Sequence, residues 1–210
     1  MPRASNNREL ILDAAWSQLW QHGYHAMSIS DVARAARLPK GSIYNYFQSK
    51  EDLAEAALSR LRHQYENTMR VRVLSGTISP SEIVRRFLDY YEQQYAEVGY
   101  GRGDPLMSRL NELADTNPEL AGRLAELADV WRSVVAQKIW GYATAQHVQG
   151  LVDHAEAIAG IIHASLQGVL LNMKVRHSAD PIIEARAILP TMLDSYVTSL
   201  AAGELGEIRR

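Results

Sequence analysis

The chain carries a run of polar side chains between positions 40 and 46 whose chemistry suits nucleic acid. Cationic, hydroxyl and amide groups are the ones that proteins use to contact the phosphates and base edges of DNA. In a short helix over 39–46, Ile43 and Phe47 lie one turn apart and face inward. The residues left for the outer surface are Lys40, Ser42, Tyr44, Asn45 and Tyr46. The segment is therefore predicted to bury one face and to present the other to a polar partner.

A second short helix is predicted over 28–36, just before this segment. Ser28 and Asp31 have the spacing of a capping box, which marks a helix N-terminus. Leu38 precedes Pro39, and a residue before proline disfavours helical backbone angles. The helix is therefore predicted to end there. Small residues on its inner face would let another helix cross closely: Val32, Ala33 and Ala36. Two short helices joined by a tight turn form a helix-turn-helix.

Lys50 lies in the first turn of a following helix, where a cation conflicts with the helix dipole. Ser49 and Asp52 again have capping-box spacing, and acidic residues suit this end of a helix. A DNA phosphate held between Lys50 and the free amides of that turn would resolve the conflict. The alternative is a lysine that is simply solvated.

The sequence lacks the motifs of the common catalytic and metal sites. It has no cysteine, and none of its seven histidines follows an acidic residue by three positions, as a di-metal helical bundle would require. It contains no nucleophile elbow, phosphate-binding loop or zinc-protease motif. We therefore expect a protein without catalytic activity, cofactor or metal.

Charge is distributed unevenly along the chain. The 210 residues carry a net charge of −2, yet positions 1–50 hold six basic and three acidic residues. A basic N-terminal part on an acidic remainder favours a small nucleic-acid-binding module joined to another domain. The polar start MPRASNNREL does not resemble a signal peptide, so a cytoplasmic protein is expected.

The spacing of apolar residues is helical along the chain, and no segment alternates as a strand would. We predict an all-α fold of about nine helices, the first of which ends at Gly23. Apart from the two short helices, the others are predicted over 50–74, from Pro80 onward, from near Pro105, from Pro118 to about 141, over 152–177 and over 181–202.

The last two predicted helices carry more apolar surface than one core needs. Positions 157–173 are free of charge, and Gly160, Ala164 and Gly168 form a ridge of small residues that permits close helix contact. A membrane span is a weaker interpretation, because polar residues interrupt this segment and charges flank it. A symmetric homodimer through 152–177 and 181–202 is predicted instead.

The region from Ile11 to Leu53 resembles the N-terminal domain of the TetR family of transcriptional regulators. The matching residues occur in the same order and spacing: Ile11, Ala14, Ala15, Leu19, Trp20, Gly23, Ser28, Val32, Ala33, Ala36, Leu38, Gly41, Tyr44, Tyr46, Phe47, Lys50, Glu51 and Leu53. The resemblance implies a three-helix DNA-binding domain over 1–50 and a helical domain over 51–210 for effector binding and dimerisation. It also implies a repressor released from double-stranded operator DNA by a small-molecule effector.

The resemblance assigns roles to individual residues of the helix-turn-helix. Ser28, Tyr44 and Lys50 would bind phosphates, and Gly41 would let the backbone approach DNA closely. Base edges would be contacted by Lys40, Ser42 and Asn45. Tyr46 would also contact DNA, and the alternative for both Tyr44 and Tyr46 is packing against the first helix.

Two residues of the turn depart from the family pattern. Arg37 stands where glycine is usual, so a left-handed backbone there would be strained. Pro39 replaces the usual capping serine, which leaves the second helix without a side-chain cap. These departures keep open the alternative of a helical ligand-binding or scaffold protein that no longer binds DNA.

The resemblance also implies a pocket for an unidentified small molecule in the C-terminal domain. The candidates are aromatic, apolar or polar residues of the predicted core: Tyr91, Tyr95, Met107, Leu110, Trp131, His163 and Gln167. His163 and Gln167 lie one turn apart and need hydrogen-bonding partners when buried. A ligand is one source of such partners, and protein groups or water are another.

Overall fold

The computed structural model describes residues 3–99 and 118–205, and their regular structure is helical throughout, as predicted. Met107, Leu110 and the helix predicted to start near Pro105 lie outside the described residues. The α-helices are α1 (Arg3–Ala26), α2 (Ile29–Ala36), α3 (Lys40–Tyr44), α4 (Lys50–Thr68), α5 (Pro80–Val98), α6 (Pro118–Ala145), α7 (Gln149–Arg176) and α8 (Asp180–Ala201). A π-helical segment, Met69–Val73, directly follows α4.

Most predicted helices are present, with shifts of a few residues at their ends. The largest difference concerns the predicted helix over 50–74, which is α-helical only to Thr68. Beyond it the backbone widens, and the Leu74 amide donates to the Met69 carbonyl at 2.8 Å, five residues back. Apolar spacing does not distinguish a π turn from an α turn, so the sequence pattern did not predict this change.

Gly23 interrupts the first helix where the sequence predicted its end. The glycine has φ 84° and ψ 170°, although helical geometry resumes briefly up to Ala26. A positive φ of this size is unstrained for glycine because it has no Cβ. The break redirects the chain before α2 begins.

The described residues form two compact units. Unit 1 comprises residues 3–66 and 118–127, and unit 2 comprises 67–99 and 128–205. The core of unit 1 contains apolar side chains from α1, α2, α3 and α4 that are at most 3% exposed: Ile11, Leu12, Ala15, Leu19, Val32, Ile43, Phe47 and Leu53. These side chains hold the two short helices against α1 and α4. The assignment of 1–50 and 51–210 as separate functional domains remains a prediction.

The main helix contacts in unit 2 join α8 to α5 and α8 to α7, and α5 also contacts α7. The Arg186 guanidinium on α8 pairs with Asp89 at 2.9 Å and Glu92 at 2.6 Å on α5. His154 on α7 is buried, and its Nδ1 lies 2.6 Å from the Tyr196 hydroxyl oxygen on α8. Polar contacts therefore supplement apolar packing between these helices.

Helix α7 is long and apolar enough to cross a membrane, with a mean hydropathy of 1.3 over its most apolar window. However, nine of its residues, including His154, are buried within unit 2. A buried, hydrogen-bonded histidine is typical of a helix in a protein core. One side of α7 therefore packs in the core of unit 2.

Candidate nucleic-acid interface

The N-terminus of α2 is closed by Ser28, as the capping box predicts. The Ser28 hydroxyl oxygen accepts from the Asp31 amide at 3.1 Å, and the hydroxyl donates to the Asp31 carboxylate at 2.5 Å. This hydrogen bond is the main cause that lowers the pKa of Asp31, and the Arg34 charge lowers it further. A negative charge in the first turn also stabilises the helix dipole.

The turn between α2 and α3 contains both predicted departures. Arg37 adopts the left-handed conformation with φ 56° and ψ 39°, where a side chain is strained. Its amide donates to the carbonyls of Ala33 and Arg34, which ends α2. Pro39 precedes α3 and provides no side-chain cap. The turn forms despite the missing glycine and capping serine.

Helix α3 is held by its inner face and presents a polar outer face. Ile43 is fully buried and Phe47, just beyond the helix, is nearly so. Four candidates for DNA contact are exposed: Lys40, Gly41, Tyr44 and Asn45. No heavy atom lies within 4 Å of a Cβ built on Gly41, so the backbone there is accessible. Ser42 is half-buried, and half-buried Tyr46 packs against the unit 1 core.

Lys50 is held in place by two contacts with the segment that follows α1's glycine break. Its Nζ donates to the His25 carbonyl at 3.3 Å and lies 4.4 Å from the centre of the Tyr24 ring. An ammonium group over an aromatic face is stabilised by the ring quadrupole. Lys50 therefore has protein contacts and is not merely solvated.

Tyr24 supports the start of α4 but is not singled out by the sequence pattern, whereas Glu51 appears there only as a match to the family pattern. The buried Tyr24 donates its hydroxyl to Glu51 at 2.6 Å. This bond, followed by contributions from the Glu51 amide and the Ser49 hydroxyl, lowers the pKa of Glu51. The ring and the carboxylate together fix the start of α4. An aromatic residue directly after a helix-breaking glycine was the available sequence signal.

In unit 2, five of the predicted pocket residues lie in one continuous cluster. Successive ring centres are 6.2 Å apart for Tyr95 and Tyr91, 6.3 Å for Tyr91 and Phe87, and 5.0 Å for Phe87 and Trp131. Trp131 is followed by His163 at 4.7 Å. Phe87, which was not among the pocket candidates, thus connects the tyrosines to the tryptophan.

The polar end of this aromatic cluster consists of His163 and Gln167. Their side-chain nitrogens, Nε2 in each case, are 3.3 Å apart. Both side chains are half-buried, while Tyr91, Tyr95 and Trp131 are buried. The cluster therefore joins packed aromatic rings to two hydrogen-bonding side chains.

Helices α7 and α8 leave large apolar side chains uncovered. The exposed members are Ile161, Leu171, Val175, Ile183, Ile188 and Met192. A groove of about 320 Å³ between these helices is lined by residues that include Ile161 and Met192. A Cβ on Gly168 would have no heavy atom within 4 Å, so this part of the small-residue ridge is open. An apolar face of this extent is typical of an interaction surface.

The described residues, 3–99 and 118–205, contain no group of three or more His, Cys, Asp or Glu side chains that could hold a metal ion. Exposed polar groups on a buried scaffold occur on the outer face of α3, where Lys40 and Tyr44 lie opposite the buried Ile43. Two short helices with this arrangement define a helix-turn-helix DNA-binding protein.

Comparison with known families supports the same class and refines it. Residues 11–57 match the model for bacterial regulatory proteins of the tetR family. Residues 80–188, more than half of the chain, match the model for the C-terminal domain of LmrA/YxaF-like transcriptional regulators. The chain belongs to the TetR family of transcriptional regulators, which confirms the resemblance.

Relatives match along most of the chain. The transcriptional regulator AcuR of Cereibacter sphaeroides is 26% identical over 183 residues, which cover 86% of this chain and 82% of AcuR. The transcriptional repressor NemR of Escherichia coli is 26% identical over 187 residues, which cover 87% of this chain and 91% of NemR. The crystal structure of a TetR transcriptional regulator from Chloroflexus aurantiacus is similar with a TM-score of 0.72 at 27% identity, covering 94% of this chain and 97% of that one.

Proposed function

We propose that this chain is a homodimeric repressor that binds operator DNA through α2, α3 and the first turn of α4, and that a small molecule releases it. One observation carries the DNA-binding part of the proposal. Lys40, Tyr44 and Asn45 are exposed around a helix whose opposite face, at Ile43, is fully buried. A recognition helix needs this combination, because it must be fixed on one side and free to enter the major groove on the other.

Each residue of the interface has a role in the proposal. Lys40 and Asn45 read base edges together with Ser42, since lysine favours guanine O6/N7 and asparagine favours adenine N6/N7. Tyr44 and Lys50 bind phosphates, and Ser28 does so at the start of α2. Gly41 allows close backbone approach. Tyr46 contributes mainly to the core beneath the interface.

The proposed dimer forms through α7 and α8. Burial of the exposed Ile161, Ile188 and Met192 against a second copy would remove a large apolar surface from water. The open ridge at Ala164 and Gly168 permits close contact between symmetry-related copies of α7. Two recognition helices related by a two-fold axis would then bind two half-sites.

The proposed effector binds at the aromatic cluster of unit 2. Its flat surfaces at Tyr91 and Trp131 would contact the apolar part of a ligand, and His163 with Gln167 would exchange their mutual contact for hydrogen bonds to it. The ligand regulates DNA binding only if it binds one arrangement of the dimer better than the other. Typical coupling of about 1–3 kcal/mol changes DNA affinity roughly 5- to 150-fold.

Repression, the absence of catalysis and a cytoplasmic location are also part of this proposal. Two curated relatives that match most of this chain, DhaR of a Mycobacterium species and NemR, carry the name transcriptional repressor. Regulators that bind chromosomal DNA in bacteria work in the cytoplasm.

The test begins with selection of the bound sequence from random double-stranded DNA. The purified protein is then titrated with the selected operator and with a scrambled duplex at several salt concentrations, using fluorescence anisotropy. We expect tight, sequence-dependent binding of one or more dimers and a linear fall of log affinity with log salt. Failure to select any sequence, with weak binding to all duplexes, would favour the scaffold alternative. Compounds that release the operator then identify the effector.

A further inference from the structure

A second candidate binding site lies in unit 2, beside the π-helical segment. A cleft of about 370 Å³ is bounded by this segment, the loop after it and α6. Its lining includes two cations, Arg70 and Lys138, and among the described residues no carboxylate contributes to the lining. The cleft shares no lining residue with the helix-turn-helix or with the aromatic cluster.

Within residues 3–99 and 118–205, neither of the two cations is paired with a carboxylate. Arg70 is exposed and has no ion-pair partner among the described residues, and the Lys138 ammonium donates only to a neutral acceptor, the Gly76 carbonyl, at 3.3 Å. Arg72 and Arg176 likewise form no ion pair within the described residues, whereas four other arginines of unit 2 pair with carboxylates: Arg85, Arg86, Arg132 and Arg186. Two unpaired cations lining one concave site create a positive potential that attracts an anion.

Neutral groups complete the chemistry of the cleft. Thr77, Gln137 and Tyr142 supply hydroxyl and amide groups that can hydrogen-bond to an oxyanion. Gly141 lies in α6, and a Cβ built on it meets no heavy atom within 4 Å. This glycine therefore leaves room beside the Tyr142 side chain for the uncharged part of a ligand.

We propose that this cleft binds a small organic oxyanion, a phosphate monoester or a carboxylate. The charged group lies between Arg70 and Lys138, where each cation makes a charge-assisted hydrogen bond. The remainder of the ligand lies along Gly141 and Tyr142. Because Arg70 belongs to the π segment, the ligand would bridge this segment to α6. Single π turns occur frequently at functional sites, where they reposition side chains.

Arg72 provides a matched control for Arg70. Both arginines are exposed and belong to the same short segment, but Arg72 does not line the cleft. It lies instead beside Tyr90 on α5. Burial raises the pKa of the Tyr90 hydroxyl, and the positive charge of Arg72 acts in the opposite direction and lowers this pKa. Removal of either arginine changes the net charge equally. A difference in ligand affinity between the two variants therefore shows that the ligand binds in the cleft.

The experiment titrates the DNA-free protein with phenyl phosphate, benzoate and inorganic phosphate, at constant ionic strength maintained with chloride. Backbone amide chemical shifts are followed by NMR, and calorimetry gives the stoichiometry. We expect saturable binding of at least one organic probe, one per chain, with the largest shifts at Gly76, Thr77 and Gly141. Tighter binding of phenyl phosphate than of benzoate would assign the phosphate class, and the reverse order would assign the carboxylate class.

Substitutions then test the assignment to the cleft. Arg70→Ala and Lys138→Met should each weaken binding by about tenfold or more, since a charge-assisted hydrogen bond is lost. The Arg72→Ala variant should bind the probe with an affinity within about twofold of the wild type, because it alters only the long-range electrostatic attraction. Equal weakening by Arg70→Ala and Arg72→Ala, or unsaturable shifts spread over the surface, would show general ion association and overturn the proposal.

A second pair of variants does not depend on the two cations. Gly141→Glu and Gly141→Gln introduce side chains of similar size and helix propensity, one charged and one neutral. The glutamate should compete for Arg70 and Lys138 and weaken binding well beyond the effect of glutamine. Equal affinities of the two variants would overturn the proposed position of the charged group. Both measurements use protein without DNA, so their outcome is independent of the proposed operator and effector binding.

Discussion

The ammonium group of Lys50 lies 4.4 Å from the centre of the Tyr24 ring, although 26 positions separate the two residues in the chain. The ring holds the lysine at the start of α4. The Tyr24 hydroxyl also binds Glu51, the residue next to Lys50. A cation that is restrained before DNA arrives loses less side-chain entropy when it binds a phosphate.

We predict that Lys50→Ala lowers the slope of log affinity against log salt by about one unit per subunit. The physical reason is that each lost phosphate contact releases one fewer counterion. The affinities for operator and for scrambled DNA should fall by about the same factor, because phosphate contacts carry no sequence information. The measurement is fluorescence anisotropy at several salt concentrations, and an unchanged slope would show that Lys50 does not contact phosphate.

Two variants of Tyr24 serve as controls for the restraint on Lys50. Tyr24→Phe keeps the ring beneath the ammonium group and removes the hydrogen bond to Glu51, whereas Tyr24→Leu removes both. We expect the phenylalanine variant to bind operator nearly as well as the wild type and the leucine variant to bind more weakly. Equal losses of operator affinity in the two variants would assign the effect to the hydrogen bond with Glu51.

Base recognition by α3 can be tested with Lys40→Ala and Asn45→Ala. Both side chains are exposed on the outer face of α3, so their removal leaves the core intact. Each variant should relax the preference at particular operator positions, with a loss of about 1–3 kcal/mol of discrimination for a good bidentate contact. Selection of bound sequences for each variant measures this directly. Uniform weakening at all positions would instead place the residue on the DNA backbone.

The left-handed turn at Arg37 predicts a stabilising substitution. Arg37→Gly should raise the free energy of unfolding by about 0.5–1 kcal/mol, because the left-handed strain of a side chain exceeds the entropy cost of glycine. Arg37→Ala removes the same charge and keeps the strain, so it should bring no gain. Urea unfolding at one fixed protein concentration compares the three proteins. A gain in both variants would trace the effect to charge.

The proposed dimer can be tested with Ala164→Trp. Ala164 is exposed on the small-residue ridge of α7, so the monomer fold should tolerate the larger side chain. In the dimer, the tryptophan should separate closely packed helices and shift the protein toward monomer. Sedimentation velocity at micromolar concentration measures the shift, with the equally exposed Ala35→Trp on α2 as a control. A wild type that sediments as a monomer would contradict the dimer itself.

The proposed effector site predicts a selective defect in His163→Leu. The variant should bind a confirmed effector more weakly and bind effector-free operator DNA almost normally. His163→Asn, which keeps hydrogen-bonding groups, should retain part of the affinity. Because coupling between two ligands is reciprocal, operator DNA should weaken effector binding by the factor with which the effector weakens DNA binding. Equal effector affinities with and without operator would show that the site does not regulate DNA binding.

Local sequence determined most of the secondary structure of this protein. The capping box at Ser28, the break at Pro39 and the glycine break at Gly23 act through backbone preferences of adjacent residues, so they could be recognised without a structure. The inward spacing of Ile43 and Phe47 likewise indicated the buried and exposed faces of α3. These local rules also anticipated the left-handed strain at Arg37 and the missing side-chain cap at Pro39.

Only the tertiary structure decided which distant residues meet. The contact of Lys50 with Tyr24, the position of Phe87 between the tyrosines and Trp131, and the shared cleft of Arg70 and Lys138 all join separate parts of the chain. Such contacts depend on the path of the backbone, including the π turn after Thr68 that apolar spacing did not reveal. Periodicity specifies which face of a helix is buried, but it does not specify which other helix covers that face.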